Sequence, residues 1–465
     1  MSGFPGDKTF RAFEKVGENR DARSINQVTD VVRKSATDTK SEKNKTFIQK
    51  KPQKILHGAP YDVNDPKSNL RYEKDLNVSA FTEMISGEWQ RLMHEGQPKT
   101  RVHMAVEGNS RQMTVLSERL IGYVPLRELI NNSANTFDID GQSFTGNEIM
   151  RRVFSGDIPG LGNCAMGLLT TLNADGHLGN VGVAKNPYGE LEVFTIDAGQ
   201  CYFPVQYQYI PPTGEVDPKS EVVPLGDDIL KYFPFIINPE LIVHNLRNFL
   251  DVVKGFKLNT NKEGTILQSV LPRTIKDDPR FLAEKHARIL KEIMIPDRFV
   301  HGFMMRYAVP EFAVYASQVD LFSRAALCAR THNERKNNLK EIALKDPGFR
   351  EYLKTEEAQA VAQQHIERFC NFVVYGKKRL ISKNQLDGVK TALQEGYEQI
   401  FLAAHPMPAM EKIQPDILQP SPVPYTPLRG QASHTTLEDK HHSTLEGPED
   451  LDEPEEDDPP KPSRS

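Results

Sequence analysis

The chain has 465 residues, 38% of them apolar, with 58 Lys and Arg against 63 Asp and Glu and a formal net charge of −5. That balance excludes a general affinity for nucleic-acid backbones. No run of about 18 apolar residues is present to cross a bilayer, no apolar stretch near the N-terminus reads as a secretory signal, and the four cysteines form no C-x-x-C pair, which excludes a zinc ribbon and suits reduced, buried thiols.

Residues 1–56 are rich in Lys, Arg, Ser, Thr and Asn with little apolar periodicity, and are expected to form a disordered basic arm. Residues 57–130 are expected to form a small β-rich lobe with one helix. Ser68–Asp75 (SNLRYEKD) is read as a strand. Asn77 then caps a helix from Val78 to about Glu95, on which Phe81, Met84, Ile85, Trp89 and Leu92 share one face. Glu88 lies within that face and Glu83 opposite, toward solvent. A carboxylate on a buried stripe needs a cationic partner. Arg101–Val106 and Arg111–Glu118 alternate around Glu107-Gly-Asn-Ser110 and predict a hairpin.

From Gly146 the pattern turns helical, with Leu161–Thr171 apolar enough for a buried helix. The preceding Gly156–Gly162 (GDIPGLG) is glycine-rich but lacks G-K-[ST], so it reads as a turn and not as a phosphate loop. Amphipathic helices are predicted at 239–253, 279–294, 311–330, 334–344, 355–374 and 384–404, and the proline- and acid-rich 406–465 is expected to be disordered.

The most informative stretch is Asp175–Gly199, DGHLGNVGVAKNPYGELEVFTIDAG. Asp175 precedes His177 and Asn180. A hairpin follows around Asn186–Gly189, and the run Leu191–Ile196 ends on Asp197-Ala-Gly199. Phosphoryl transfer needs an acid to orient the attacking hydroxyl, and oxygen ligands to hold Mg²⁺ on the phosphates. Two strands joined by a tight turn bring Asn180 and Asp197 to one end of a ribbon.

These residues resemble the catalytic core of the phosphoinositide-kinase-like superfamily, with its GDRHxGN loop and (I/V)D(F/L)G metal motif. Asp175, His177 and Asn180 fall on the loop, Asp197 and Gly199 on the metal motif; Gly176 and Ala198 depart from it. The stretch Asp175, Gly179-Asn-Val-Gly182, Ile196-Asp197 is also similar to atypical kinase-like Dot/Icm effectors of Legionella and Coxiella. The resemblance covers roughly residues 65–260.

That resemblance implies an α+β fold of the two-lobed protein/phosphoinositide-kinase type: an N-lobe at 57–130, a catalytic C-lobe at 131–260 and a helical extension at 261–405. It implies ATP and Mg²⁺ as cofactors, Asp175 and His177 as catalytic residues, and Asn180 and Asp197 as metal ligands. Thr82–Met93 is similar to the family's helix motif, which makes Glu88 the partner of a phosphate-binding cation. Arg71 falls on the family's lysine position, and Lys74 is the other candidate. Ser117 and Arg119 fall on the hinge beside the adenine. The expected function is ATP-dependent kinase activity of an effector secreted by a type IV system into host cytoplasm, through its acidic C-terminal tail. Lys219 and Lys231 are outnumbered by acids between Gly199 and Phe233, which favours a host protein over a phosphoinositide headgroup as acceptor. The competing expectation is a catalytically inactive pseudokinase acting as an interaction scaffold.

Overall fold

The computed structural model describes residues 13–17, 27–33, 46–51, 66–107, 110–139, 141–173, 178–199, 201–202, 229–234, 270–308, 318–374 and 383–405. All belong to one compact unit, Met1–Pro408. The fold is α+β.

Three strands come first, β1 (Phe13–Gly17), β2 (Gln27–Arg33) and β3 (Thr46–Lys51), followed by the helix α1 (Pro66–Met93) and the hairpin β4 (Thr100–Glu107) and β5 (Ser110–Glu118). The strands form an antiparallel five-stranded sheet ordered β1-β2-β3-β5-β4. Next come β6 (Val124–Pro125), α2 (Leu126–Asn131), the hairpin β7 (Thr136–Ile139) and β8 (Gln142–Thr145), α3 (Gly146–Phe154) and α4 (Leu161–Thr170). The ribbon β9 (Val181–Lys185) and β10 (Leu191–Thr195) adds to β6 in a three-stranded sheet ordered β10-β9-β6. Helices follow: α5 (Ile229–Tyr232), α6 (Pro279–Ile293), α7 (Asp297–Met305), α8 (Gln318–Lys345), α9 (Pro347–Tyr352), α10 (Glu356–Val374) and α11 (Lys383–Ala404).

Three expectations are corrected here. The basic arm contains β1, β2 and β3. Val28, Val31, Val32, Phe47 and Ile48 supply β-forming side chains in short runs that the surrounding charge conceals. The strand expected at Ser68–Asp75 is instead the opening of α1. That stretch has no β-branched residue, and Pro66 fits the first helical turn, where a missing N–H costs nothing. Arg71 and Lys74 therefore sit on a helix. The helix expected at 239–253 lies outside the described residues. The two helices expected at 311–330 and 334–344 are one, α8, because Thr331–Asn333 contains no breaker.

α1 runs between the sheet, where it contacts β4 and β5, and the helices α6, α8 and α10. From Asn77 on it is buried on every side: Phe81, Met84, Ile85, Trp89 and Leu92 are buried, and so are Thr82, Glu83, Ser86 and Gln90. Gly87 is needed for this close approach, since a Cβ there would lie 2.5 Å from Thr100 Oγ1. A buried polar knot fastens the helices around Glu292. Its carboxylate accepts from Trp89 Nε1 (3.1 Å), Thr170 Oγ1 (3.0 Å) and Arg288 Nη2 (2.8 Å), and meets His332 Nε2 at 3.1 Å. Tyr202 joins it, its hydroxyl 2.8 Å from His332 Nδ1. Among the described residues, no helix is long and apolar enough to cross a membrane.

Candidate functional site

A cavity of about 390 Å³ lies between β3, β5, α1 and the end of the β9–β10 ribbon. Its apolar wall includes Ile48, Val115, Leu120, Leu168 and Ile196. Its polar wall includes Lys50, Glu83 and Asp197, which form one cluster. Lys50 donates to Glu83 Oε1 at 2.8 Å and to Asp197 Oδ1.

Each member is delivered by a different element. Lys50 is on β3, which pairs with β5 through Lys50↔Val115 and Ile48↔Ser117. Glu83 projects from α1. Asp197 follows β10 in the left-handed region, at φ 58°, which aspartate tolerates better than most residues. The Gly199 N–H donates to Asp197 Oδ1 at 3.2 Å. A Cβ at Gly199 would stand 3.0 Å from both Asp197 Oδ1 and Glu83 Oε2, so this turn fits closely over the carboxylates.

Burial works to lower the Lys50 pKa, but Asp197 and Glu83 more than offset it and raise it above the ordinary lysine value. The ammonium is held charged. Two carboxylates thus converge on one ammonium in the cavity wall.

The register Thr195↔Val181, continued by Ile196 N–H donating to Asn180 O at 2.8 Å, puts Asn180 and Asp197 at the same end of the ribbon. Ser117 and Arg119 line the cavity. Asp175 and His177 lie outside the described residues.

The side chains of Arg71 and Lys74 lie outside the described residues, and Glu88 takes other cations. Glu88 is fully buried but outside the cavity wall. It binds Arg91 Nη2 and Arg101 Nη1, each at 2.7 Å, and accepts from Thr100 N at 2.9 Å and the Tyr307 hydroxyl at 3.3 Å. Burial pushes its pKa up, but Arg101 and Arg91 prevail and hold it down to about 2. The carboxylate was rightly suspected of needing cations; those cations come from its own helix and from β4.

Lys50 and Glu83 were missed. Lys50 alternates with Phe47 and Gln49 in a run whose strand character was hidden by basic neighbours. Glu83, expected in solvent, is buried because the polar face of α1 is enclosed as well as its apolar stripe. The clue was Thr82, Ser86, Gly87 and Gln90, small or neutral residues where an exposed helix face carries charge.

The glycine-rich turn before α4 is filled from within. Glu284 on α6 accepts from the N–H groups of Gly160 and Gly162, both at 2.7 Å, as an anion at a helix N-terminus. Among the described residues, no group of three or more His, Cys, Asp or Glu could hold a metal by itself. Mg²⁺ on a nucleotide needs only one or two carboxylates, since phosphates and water complete its shell. No protein-family model matches the chain, and no curated protein matches it either.

Proposed function

We propose that the chain is a two-lobed, kinase-like phosphotransferase that uses ATP and Mg²⁺. One observation carries this: Lys50 joins Glu83 of the central helix to Asp197 inside a cavity whose rim carries Ser117 and Arg119. A lysine fixed by a helix glutamate, beside a metal-binding aspartate, is the arrangement with which kinases hold and neutralise phosphates.

The residues present fit the cofactors. The apolar walls suit a flat base, the Lys50 ammonium suits phosphate oxygens, and the Asp197 carboxylate suits a divalent cation. Asn180, at the same ribbon end, is the second metal ligand in this proposal. Bound Mg²⁺–ATP supplies the transferable phosphoryl group and neutralises charge on it. Glu83 keeps Lys50 extended and charged. Asp175, from the sequence motif, orients the acceptor hydroxyl, with His177 in support.

The acceptor is a host protein in preference to a phosphoinositide, because the segment after Gly199 is acidic. Delivery by a type IV system, through the acidic residues near the C-terminus, belongs to the same proposal and rests on the sequence resemblance. The test is radiolabelled ATP with Mg²⁺, host lysate and phosphoinositide vesicles. Label in protein supports the proposal. Label in lipid moves the acceptor, and nucleotide binding without transfer leaves a pseudokinase scaffold.

A further inference from the structure

β10 is an edge strand of its sheet, and its outward backbone groups are satisfied one after another by other elements. Val193 N donates to Pro159 O at 2.8 Å, and the Cys164 thiol donates to Val193 O at 3.2 Å. Two residues on, the partner is the Gln97 side chain. With its carboxamide oriented to suit its neighbours, the amide nitrogen donates to Thr195 O at 2.7 Å, and the oxygen accepts from Thr195 N at 3.1 Å. A side chain thus stands in for a neighbouring strand at the last residue before Ile196-Asp197, and both Gln97 and Thr195 line the cavity.

The same carboxamide oxygen also faces His94 Nδ1 at 3.2 Å, so Nδ1 must carry a hydrogen. The other ring nitrogen, Nε2, lies 2.5 Å from Glu192 Oε1, and that contact needs a hydrogen too. Two hydrogens are therefore shared by one imidazole and one carboxylate, either as imidazolium with carboxylate or as neutral ring with carboxylic acid. Other contacts agree. The ring stacks on Phe194 with centroids 5.2 Å apart and planes within 18°, an arrangement that favours a cation. Asn186 Nδ2 also donates to Glu192, at 3.2 Å.

We propose that Gln97 is a positioning residue, clamping the ribbon end that carries Asp197, and that a proton shared by His94 and Glu192 fixes the clamp's orientation. Its bearing on nucleotide binding rests on the phosphotransferase proposal; the clamp itself does not. Loss of the shared proton leaves Gln97 oxygen facing a bare Nδ1, and the carboxamide must turn and release Thr195.

The charged groups around His94 act in both directions. Burial, the largest influence, takes its pKa below the ordinary imidazole value; Glu192 on β10 opposes this, and Lys291 and Arg288 on α6 add to it. Lys291 is itself pushed down to about 8, chiefly by burial and then by Arg288, which reduces its opposition. Cys164 on α4 stays a neutral thiol, its pKa pushed up by burial and by Glu192 and Glu284.

The test uses the full chain with three variants. Gln97→Met removes the carboxamide. Gln97→Glu keeps the length and acceptor oxygens but cannot donate to Thr195 O, and serves if the methionine variant does not fold. His94→Asn places a non-titrating N–H where Nδ1–H stood. In ¹⁵N-histidine spectra, one imidazole that carries its hydrogen on Nδ1 is expected in the wild type and absent in His94→Asn. Hydrogen exchange over 191–199 should quicken by ~10-fold or more in the Gln97 variants and stay near wild type in His94→Asn. Mg²⁺–ATP affinity of the wild type should fall as pH rises through the His94 titration, which lies below the ordinary imidazole range, and be flat in His94→Asn. A His94 ring with a bare Nδ1 throughout, or unchanged exchange in both Gln97 variants, overturns the clamp. Absence of ATP binding alongside the expected exchange pattern supports the clamp and removes only the nucleotide proposal.

Discussion

Lys50 and Glu83 meet at 2.8 Å across the boundary between β3 and α1, and neither side chain is more than 11% exposed. A pair this enclosed constrains both elements: the strand cannot slide and the helix cannot turn without leaving a charge unpaired.

Lys50→Met and Glu83→Gln are therefore each expected to weaken Mg²⁺–ATP binding by ~10-fold or more, about 1.4 kcal/mol. The double variant should lose far less than the sum, because either change removes the same interaction. Arg71→Ala should be silent. Calorimetric titration of the four proteins checks this. Additive losses, or a damaging Arg71→Ala, would return the phosphate-binding role to the expected residue.

Asp197 contacts Lys50 and the Gly199 N–H in the cavity wall. ATP should raise the melting temperature of the wild type only when Mg²⁺ or Mn²⁺ is present. Asp197→Asn should abolish that metal dependence. Metal-independent stabilisation by ATP in the wild type would contradict the role given to Asp197.

Glu88 belongs to stability and not to the cavity. Its pKa is depressed in the folded state, from 4.5 to about 2. A depressed carboxylate contributes stability that is fully present above its unfolded pKa and is lost as pH falls through the folded one. The contribution, on the order of 3 kcal/mol, should fade below about pH 4.5 and be largely gone near pH 2. Glu88→Gln should lose a similar amount at pH 7, leaving Arg91 and Arg101 facing a neutral amide, with little change in ATP affinity. Urea melts of both proteins from neutral to acid pH should converge. Parallel curves would show that the carboxylate does not govern this acid response.

The ribbon was legible because its signals are local. Turn residues at Asn186–Gly189 and apolar flanks fix the register, and the register alone brings Asn180 and Asp197 together. The helix of Glu88 was legible for the same reason, although its start was not, since residues 66–76 carry no apolar stripe to mark them as helical. Lys50 and Glu83 were not legible from periodicity. Their meaning comes from contacts across 33 residues, and amphipathicity cannot foresee a helix that is buried on its polar face. The His94–Gln97 relation was invisible for a further reason: it depends on how side chains share hydrogens at a sheet edge, which leaves no pattern in the chain.

Gly199 offers the most selective probe of the site. Its backbone is not in the left-handed region, so alanine is acceptable conformationally, but the new Cβ would stand 3.0 Å from both Asp197 Oδ1 and Glu83 Oε2. Ordinary carbon–oxygen contacts are about 3.3 Å or longer. One carboxylate must therefore move away, and either movement disturbs Lys50. Gly199→Ala should weaken Mg²⁺–ATP binding by ~10-fold or more while changing the melting temperature little, since the affected groups sit in a cavity wall and not in the apolar core. Gly302→Ala is the counterpart. It lies within α7, a Cβ there meets nothing within 4 Å, and alanine should stabilise the protein by up to about 1 kcal/mol without touching affinity. If Gly199→Ala instead lowers the melting temperature and leaves ATP affinity intact, the turn over Asp197 is a structural element and the cluster beneath it does not bind nucleotide.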